Sequence, residues 1–292
     1  MFASVFKEVS GLLSKRFVLN ALFPTTLLGI GLLLVWQATG EGINTGVDRL
    51  NGLNLTTLGV VAILSIAALL VGATLLASQS QTLLSWMEGT SGPFSWTFFA
   101  DPGRRCWEAR RKGEDTPSPD FAVPRVGAVA PTALGTLGYA NAEYVRRNYG
   151  VDFAVIWPRL SLLLPNQLVN QIDEAEAAIE QLVAFSTTTV LFGLVAGGLA
   201  AYHRAPIIVC LLLPLLSYLL AFLVYRAVLP AAERWSQLVR TAVDLHRFEL
   251  LDTLHLTRPR TSAEDRTLWN RLNGVLLGQE PDRPLGFVAE ED

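Results

Sequence analysis

Four stretches of the chain carry no charged residue: Phe17–Gly40, Asn51–Met87, Gln181–Tyr202 and Ala205–Tyr225. Each is long enough to cross a bilayer, because about 20 residues at ~1.5 Å rise span the ~30 Å hydrocarbon core. In hydrocarbon the backbone must satisfy its own hydrogen bonds, which leaves α-helix as the conformation for isolated apolar segments of this kind. The expected fold class is all-α: a polytopic membrane protein with four transmembrane helices and a cytosolic helical domain built from helix extensions. The spans are placed at 17–40, 56–78, 181–202 and 206–225.

The absence of charge also narrows the chemistry. Ionisable groups inside a membrane mark proton relays and ion-coupled transport, and these spans hold none. Across 292 residues, 51% are hydrophobic and 17% charged, so the 23 basic and 26 acidic residues are confined to the flanks. Cys106 and Cys210 are too few for a disulfide framework. The first apolar run exceeds a signal-peptide core and three further spans follow, so a retained helix is expected there.

Orientation follows from Lys and Arg in the connections. Segment 1–16 has three, 41–50 has one, 88–180 has nine, 203–205 has one and 226–292 has nine. That alternation predicts N and C termini in the cytoplasm and an inner (plasma) membrane location. The external connections, 41–55 and 203–205, are too short to display a domain. Recognition is therefore expected on the cytosolic side or within the bilayer.

Several segments are expected to project beyond the membrane. Residues 1–16 form an amphipathic stub. A continuous helix from Leu55 to Met87 would rise ~50 Å, farther than one bilayer requires. Trp86 and the cluster Phe94, Trp96, Phe98 and Phe99 read as an interfacial belt. In the cytosolic segment 79–180, Pro165–Asn166 signals a helix start with Asn166 as N-cap. Leu168, Ile172, Ala175, Ile179 and Leu182 then form a heptad-spaced stalk leading into span three. Pro230 is expected to kink or restart the helix after span four, and 231–257 reads as amphipathic, closed by Pro259. Thr261–Ser262–Ala263–Glu264 resembles a capping box opening a last helix to about Asn273, with Gly274 beyond it. The region 226–278 is thus helical, and 279–292 an acidic tail. Between the stalks, 114–124 reads as a mobile loop and Thr136–Tyr149 as a helix closed by Gly150. Phe153–Trp157 and Leu160–Leu164 read as short strands or extended segments within otherwise helical surroundings.

Side-chain patterns supply the candidate sites. Gly193, Gly197 and Ala201, with Ala68 and Gly72 in span two, have the four-residue spacing of close helix packing, within one bundle or between subunits. Thr187, Thr188 and Thr189 would line a pore if one exists, or else back-bond to helix carbonyls. Arg104, Arg105, Arg110, Arg111 and Lys112 would contact anionic lipid head groups. His246, Glu249, Asp252 and His255 drift around the helix and cannot share one ion, so no metal is expected; with Arg240, Asp244 and Arg247 they read as a solvated, salt-bridged face. No phosphate loop, nucleophile elbow or zinc-protease motif occurs, and no catalytic residue or cofactor is expected. Cytosolic segments 88–180 and 226–292 hold 18 basic against 23 acidic residues, which argues against a nucleic-acid partner.

The passage Glu143–Tyr144, Tyr149–Gly150–Val151–Asp152, Ile156–Trp157–Pro158–Arg159–Leu160 and Leu164–Pro165 resembles a pattern in uncharacterised bacterial four-span membrane proteins, a family to which no activity attaches. The threading, with a long segment between spans two and three, is similar to that of bestrophin-type anion channels by topology alone. The function expected is a non-enzymatic oligomeric sensor, scaffold or effector that couples a cytosolic helical domain to the membrane, with a homo-oligomeric or cytosolic protein partner. An ion channel is the alternative, and a membrane-embedded enzyme the third reading.

Overall fold

The computed structural model describes residues 15–40, 54–88 and 132–279, and among them there is no strand. A helical turn Lys15–Phe17 and a π-helical turn Val18–Leu22 lead into α1, Phe23–Thr39. There follow α2, Leu55–Ser78; α3, Ser80–Glu88; α4, Ala133–Tyr149; and α5, Phe153–Leu160. The long helices α6, Asn166–Tyr202, and α7, Ile207–Thr253, precede α8, Ser262–Leu276. Four of these segments are long and apolar enough to cross a membrane: Val18–Thr39, Gly59–Ser78, Asn166–Tyr202 and Ile207–Thr253. The fold is an all-α polytopic membrane protein. The expectations for the stub up to 14, the connection 41–53, Phe94–Phe99, Arg104–Lys112, the loop 114–124 and the tail from 280 fall outside the described residues.

The chain divides into two compact units, Met1–Leu84 with Ala177–Leu229 and Ser85–Glu176 with Pro230–Asp292. Helices α6 and α7 contribute to both. In the first unit α1 touches α2 where Gly29 meets Leu69 and Gly72 meets Thr25. It touches α6 where Phe23 and Phe185 meet edge to face, with ring centres 5.7 Å apart. Only 6–11% of the apolar windows in α1, α2 and α7 is buried, against 39% in α6. That ratio makes α6 the helix others gather on. Side chains such as Leu33, Ile63 and Leu211 are about two-thirds exposed. Each would forfeit about 1.5–3 kcal/mol if left against water, so lipid or another apolar surface must cover them.

The second unit is built around Trp269, Leu251, Ile156, Leu160 and Val145, all fully buried. Helix α4 packs there because Thr132 caps its start, accepting from the Gly135 amide at 3.1 Å. Gly150, at φ 76°, ends it in the left-handed conformation that glycine adopts without steric cost. Asp152 caps α5 by accepting from the Ala154 amide. The unit's remaining walls are the polar ends of α6 and α7, together with α8.

Several boundaries differ from expectation, each for a local reason. Residues 153–160 are helical rather than extended: the Asp152 cap initiates a turn that Pro158, deep in a short helix, does not interrupt. Asn166 lies inside α6, because the Pro165 carbonyl already accepts from Leu168 and Val169. The 55–87 run breaks at Gln79, amid a polar Ser-Gln-Ser-Gln-Thr sequence where Ser78 Oγ donates back to the Leu75 carbonyl. Pro230 does not restart the helix, since α7 continues through Pro214 and Pro230 for 47 residues. It stops at Thr253, before Pro259 is reached. There Leu256 N donates to the Leu251 carbonyl and His255 N to Asp252, a Schellman closure. Helix α8 likewise runs through Gly274 and closes at Gly278 by the same pair of bonds.

Candidate functional site

The most concentrated polar chemistry lies in the second unit, where α4 and α8 meet α7. On α7, Ser236, Arg240, Asp244 and Arg247 follow one another by four, four and three residues and so form a single stripe. Asn141 on α4, 1% exposed, meets its upper end. Its Oδ1 accepts from Ser236 Oγ and, at 2.8 Å, from Arg240 Nε. One turn further, the Tyr144 and Tyr149 hydroxyls donate to the two carboxylate oxygens of Asp244, at 2.7 and 2.6 Å.

The guanidinium groups stack on the same tyrosines. The guanidinium carbon of Arg240 lies 5.0 Å from the Tyr144 ring centre, and that of Arg247 lies 4.7 Å from Tyr149 and 4.1 Å from Phe248. Such cation–π contacts strengthen as water is removed. Arg247 also donates to the Asp244 backbone carbonyl and, at 3.3 Å, to Asp265 on α8. Of the residues expected to form a solvated face, Arg240, Asp244 and Arg247 are instead packed into the unit, Arg240 being 7% exposed, while Glu249, Asp252 and His255 are exposed. The apolar partners Val239 and Val243 adjoin the stripe and bury it with themselves.

Burial, followed by the hydrogen bond to and the negative charge of Asp244, pushes both tyrosine hydroxyls above the usual phenol range. They are held as proton donors. General acid–base catalysis needs a group that can exchange its proton with a substrate. Here both carboxylate oxygens already accept from hydroxyls, and the hydroxyls are locked in the protonated state. What the arrangement does is clasp α4, α7 and α8 together. Three buried atoms, Asn141 Nδ2, Asp265 Oδ1 and Trp269 Nε1, have no hydrogen-bond partner among the described residues.

On the outer face of α7, His246 Nδ1 lies 2.9 Å from Glu249, and Arg258 pairs with Asp252. That guanidinium holds the Asp252 carboxyl below its ordinary range. Among the described residues no group of three or more His, Cys, Asp or Glu is placed to hold a metal ion.

In the first unit the small-residue stripe of α6 packs against α7 of the same chain. A Cβ on Gly193 would fall 2.5 Å from Ser217 Cβ, and one on Gly197 2.6 Å from Pro214 Cγ. The ring of Pro214 occupies the space these glycines leave. Ala201 is exposed and Ala200 fully buried in its place, because seven residues return to a helix face more closely than eight. Ala68 is likewise exposed, whereas Gly72 and the buried Ala73 lie inward.

The threonine cluster is committed to its own helix. Thr187 Oγ1 donates to the Val183 carbonyl, Thr188 to Ala184 and Thr189 to Phe185, at 2.7–2.9 Å. Ser186 instead crosses to the Ala221 carbonyl of α7 at 3.1 Å. Of the stalk residues, Ile172, Ala175 and Ile179 are buried, with Leu168 and Leu182 partly so.

Sequence periodicity located the α7 stripe but not its partners. The usable signal was the placement of Ser236, Arg240 and Asp244 directly beside Val239 and Val243, which gives them a helix face next to the core. The passage 143–165 supplies the other side: Tyr144 and Tyr149 reach Asp244, Gly150 and Asp152 form the α4–α5 turn, and Ile156, Leu160 and Leu164 enter the core. Together the fold and these clusters define a polytopic α-helical membrane protein with an appended polar helical unit. No protein-family model, no curated protein and no solved structure matches this chain.

Proposed function

We propose that the chain is a non-enzymatic membrane scaffold or sensor that oligomerises and couples a cytosolic helical domain to the bilayer. The observation that carries this reading is the continuity of α6 and α7. Each passes without a break from a charge-free span into the polar unit, where Ile172, Val239, Val243 and Leu251 join the core. A binding event on that unit acts on the same two helices that cross the membrane, provided they have two packed arrangements. The distribution of Lys and Arg favours an inner (plasma) membrane with both termini in the cytoplasm. The threonine hydroxyls have their protons on helix carbonyls, the ordinary back-bonding alternative to a pore role. The clasp at Asp244 weighs against an enzyme, since its acid and donor groups satisfy one another.

The test is photocrosslinking in cells from Leu162, at 83% the most exposed leucine among the described residues of the polar unit. A discrete protein adduct, with a multimer by native mass spectrometry, is the expected result. A strict monomer without adduct, or a conductance in planar bilayers that Thr188→Leu alters, would replace the scaffold with another function.

A further inference from the structure

A cavity of about 270 Å³ opens in the first unit, where two helices change from charged to apolar sequence beside the junction of α2 and α3. Arg16 is the last charge before the stretch Phe17–Gly40, and Glu180 the last before Gln181–Tyr202. The two side chains meet across that boundary: Arg16 Nε donates to Glu180 Oε2 at 2.8 Å. The π-helical turn Val18–Leu22 turns Asn20 toward the same oxygen, to which its Nδ2 donates at 3.1 Å. This turn has a local cause. Pro24 lacks the amide that would bond the Asn20 carbonyl, and the Phe23 amide reaches back to Val18 instead.

Glu180 lines the cavity with its side chain only 16% exposed, and its second oxygen, Oε1, has no hydrogen-bond partner among the described residues. Its first oxygen is paired with Arg16, and the second keeps its acceptor capacity for an N–H donor, most strongly a charged one. The walls beyond the polar end are apolar: Leu76 and Ala77 from α2, Val183 and Ala184 from α6. The site thus offers a carboxylate, a guanidinium and an apolar wall in sequence from the charged boundary into the span.

We propose that this cavity binds a glycerophospholipid with a primary-amine head group, of the phosphatidylethanolamine class. The ammonium donates to Glu180 Oε1, the phosphate sits on Arg16, and the acyl chains follow Leu76, Ala77 and Val183. A quaternary ammonium has no N–H to donate, and a head group without an ammonium offers Glu180 Oε1 no charged donor. Those differences give the site its selectivity. The inference goes beyond the scaffold reading and does not depend on it.

The experiment uses the full chain in nanodiscs of mixed phosphatidylethanolamine, phosphatidylcholine and phosphatidylglycerol, followed by mild extraction and quantification of the retained lipid. The retained ratio of phosphatidylethanolamine to phosphatidylcholine is expected to be about ten times the bulk ratio, the factor that one charge-assisted hydrogen bond supplies. Glu180→Gln returns retention to the bulk ratio. Ala77→Phe, which fills the cavity without touching the Arg16–Glu180 pair, does the same. Bulk-ratio retention by the unsubstituted chain, enrichment of phosphatidylglycerol or phosphatidylcholine, or enrichment surviving both substitutions would overturn the site. A thermal shift given equally by soluble phosphoethanolamine would overturn the lipid and assign the cavity to a free solute.

Discussion

His255 closes α7 at φ 53°, a left-handed conformation that costs a residue with a Cβ about 1–2 kcal/mol. It is held there because Leu256, 2% exposed, must turn back into the core. The imidazole itself is exposed and takes no part in the closure. His255→Gly is therefore expected to raise the unfolding free energy by about 1 kcal/mol, read from denaturant midpoints of the full chain. The tyrosines at Asp244 make a pH prediction at the same scale. Unfolded tyrosine ionises near 10, and in the folded unit both hydroxyls ionise higher. The folded state thus binds these protons more tightly. Their stabilisation is complete below about pH 10 and is lost as pH rises beyond it, since the unfolded chain gives up its protons first. Tryptophan fluorescence across alkaline pH should show this decline, and Tyr149→Phe should flatten it. A decline of the same steepness in that variant would remove Tyr149 as its source.

At the scale of elements, the decisive contact is glycine against proline. Gly193 and Gly197 admit Pro214 and Ser217 so closely that an added Cβ meets Pro214 Cα at 3.2 Å, a backbone atom with little room to give. Gly193→Val is expected to destabilise the α6–α7 hairpin by about 1–3 kcal/mol, while Ala201→Val, on the exposed side, should be nearly neutral. Thermal melts in detergent compare the two, and equal losses would refute the assigned face. Helix existence was legible from the sequence where apolar runs and the closing Gly150 act locally; α5 was not, since its Asp152 cap precedes a short apolar run that reads as extended. Helix continuity was not. Pro230 reads as a kink or restart, yet α7 passes through it: an interior proline costs about 3 kcal/mol or more, and packing of Val228, Ala232 and Val239 on either side holds the helix. The break that does occur, at Gln79, has no proline and falls in the polar run 78–82, where Ser78 Oγ and the Gln79 amide share the Leu75 carbonyl.

For the whole molecule, two helices shared between an apolar and a polar unit give the proposed coupling its physical route. A change of packing in the core around Trp269 acts on residues of α6 and α7 that belong to the same rods as the spans. Photocrosslinking from Leu162 and lipid retention at Glu180 probe the two units independently. Either can fail while the other stands.

The sequence by itself determined the solvent and the helical class of the spans. Charge-free stretches of this length require a bilayer, and a bilayer requires helices, because every backbone group must be bonded within the segment. Partnership was decided only by tertiary structure. The spacing of Ser236, Arg240, Asp244 and Arg247 is equally compatible with water and with a buried clasp. What buries it is a set of tyrosines about a hundred residues away, which no local pattern announces. In the same way the first and third charge-free stretches begin at Arg16 and Glu180 for topological reasons, and only the packed helices bring those two charges to one cavity.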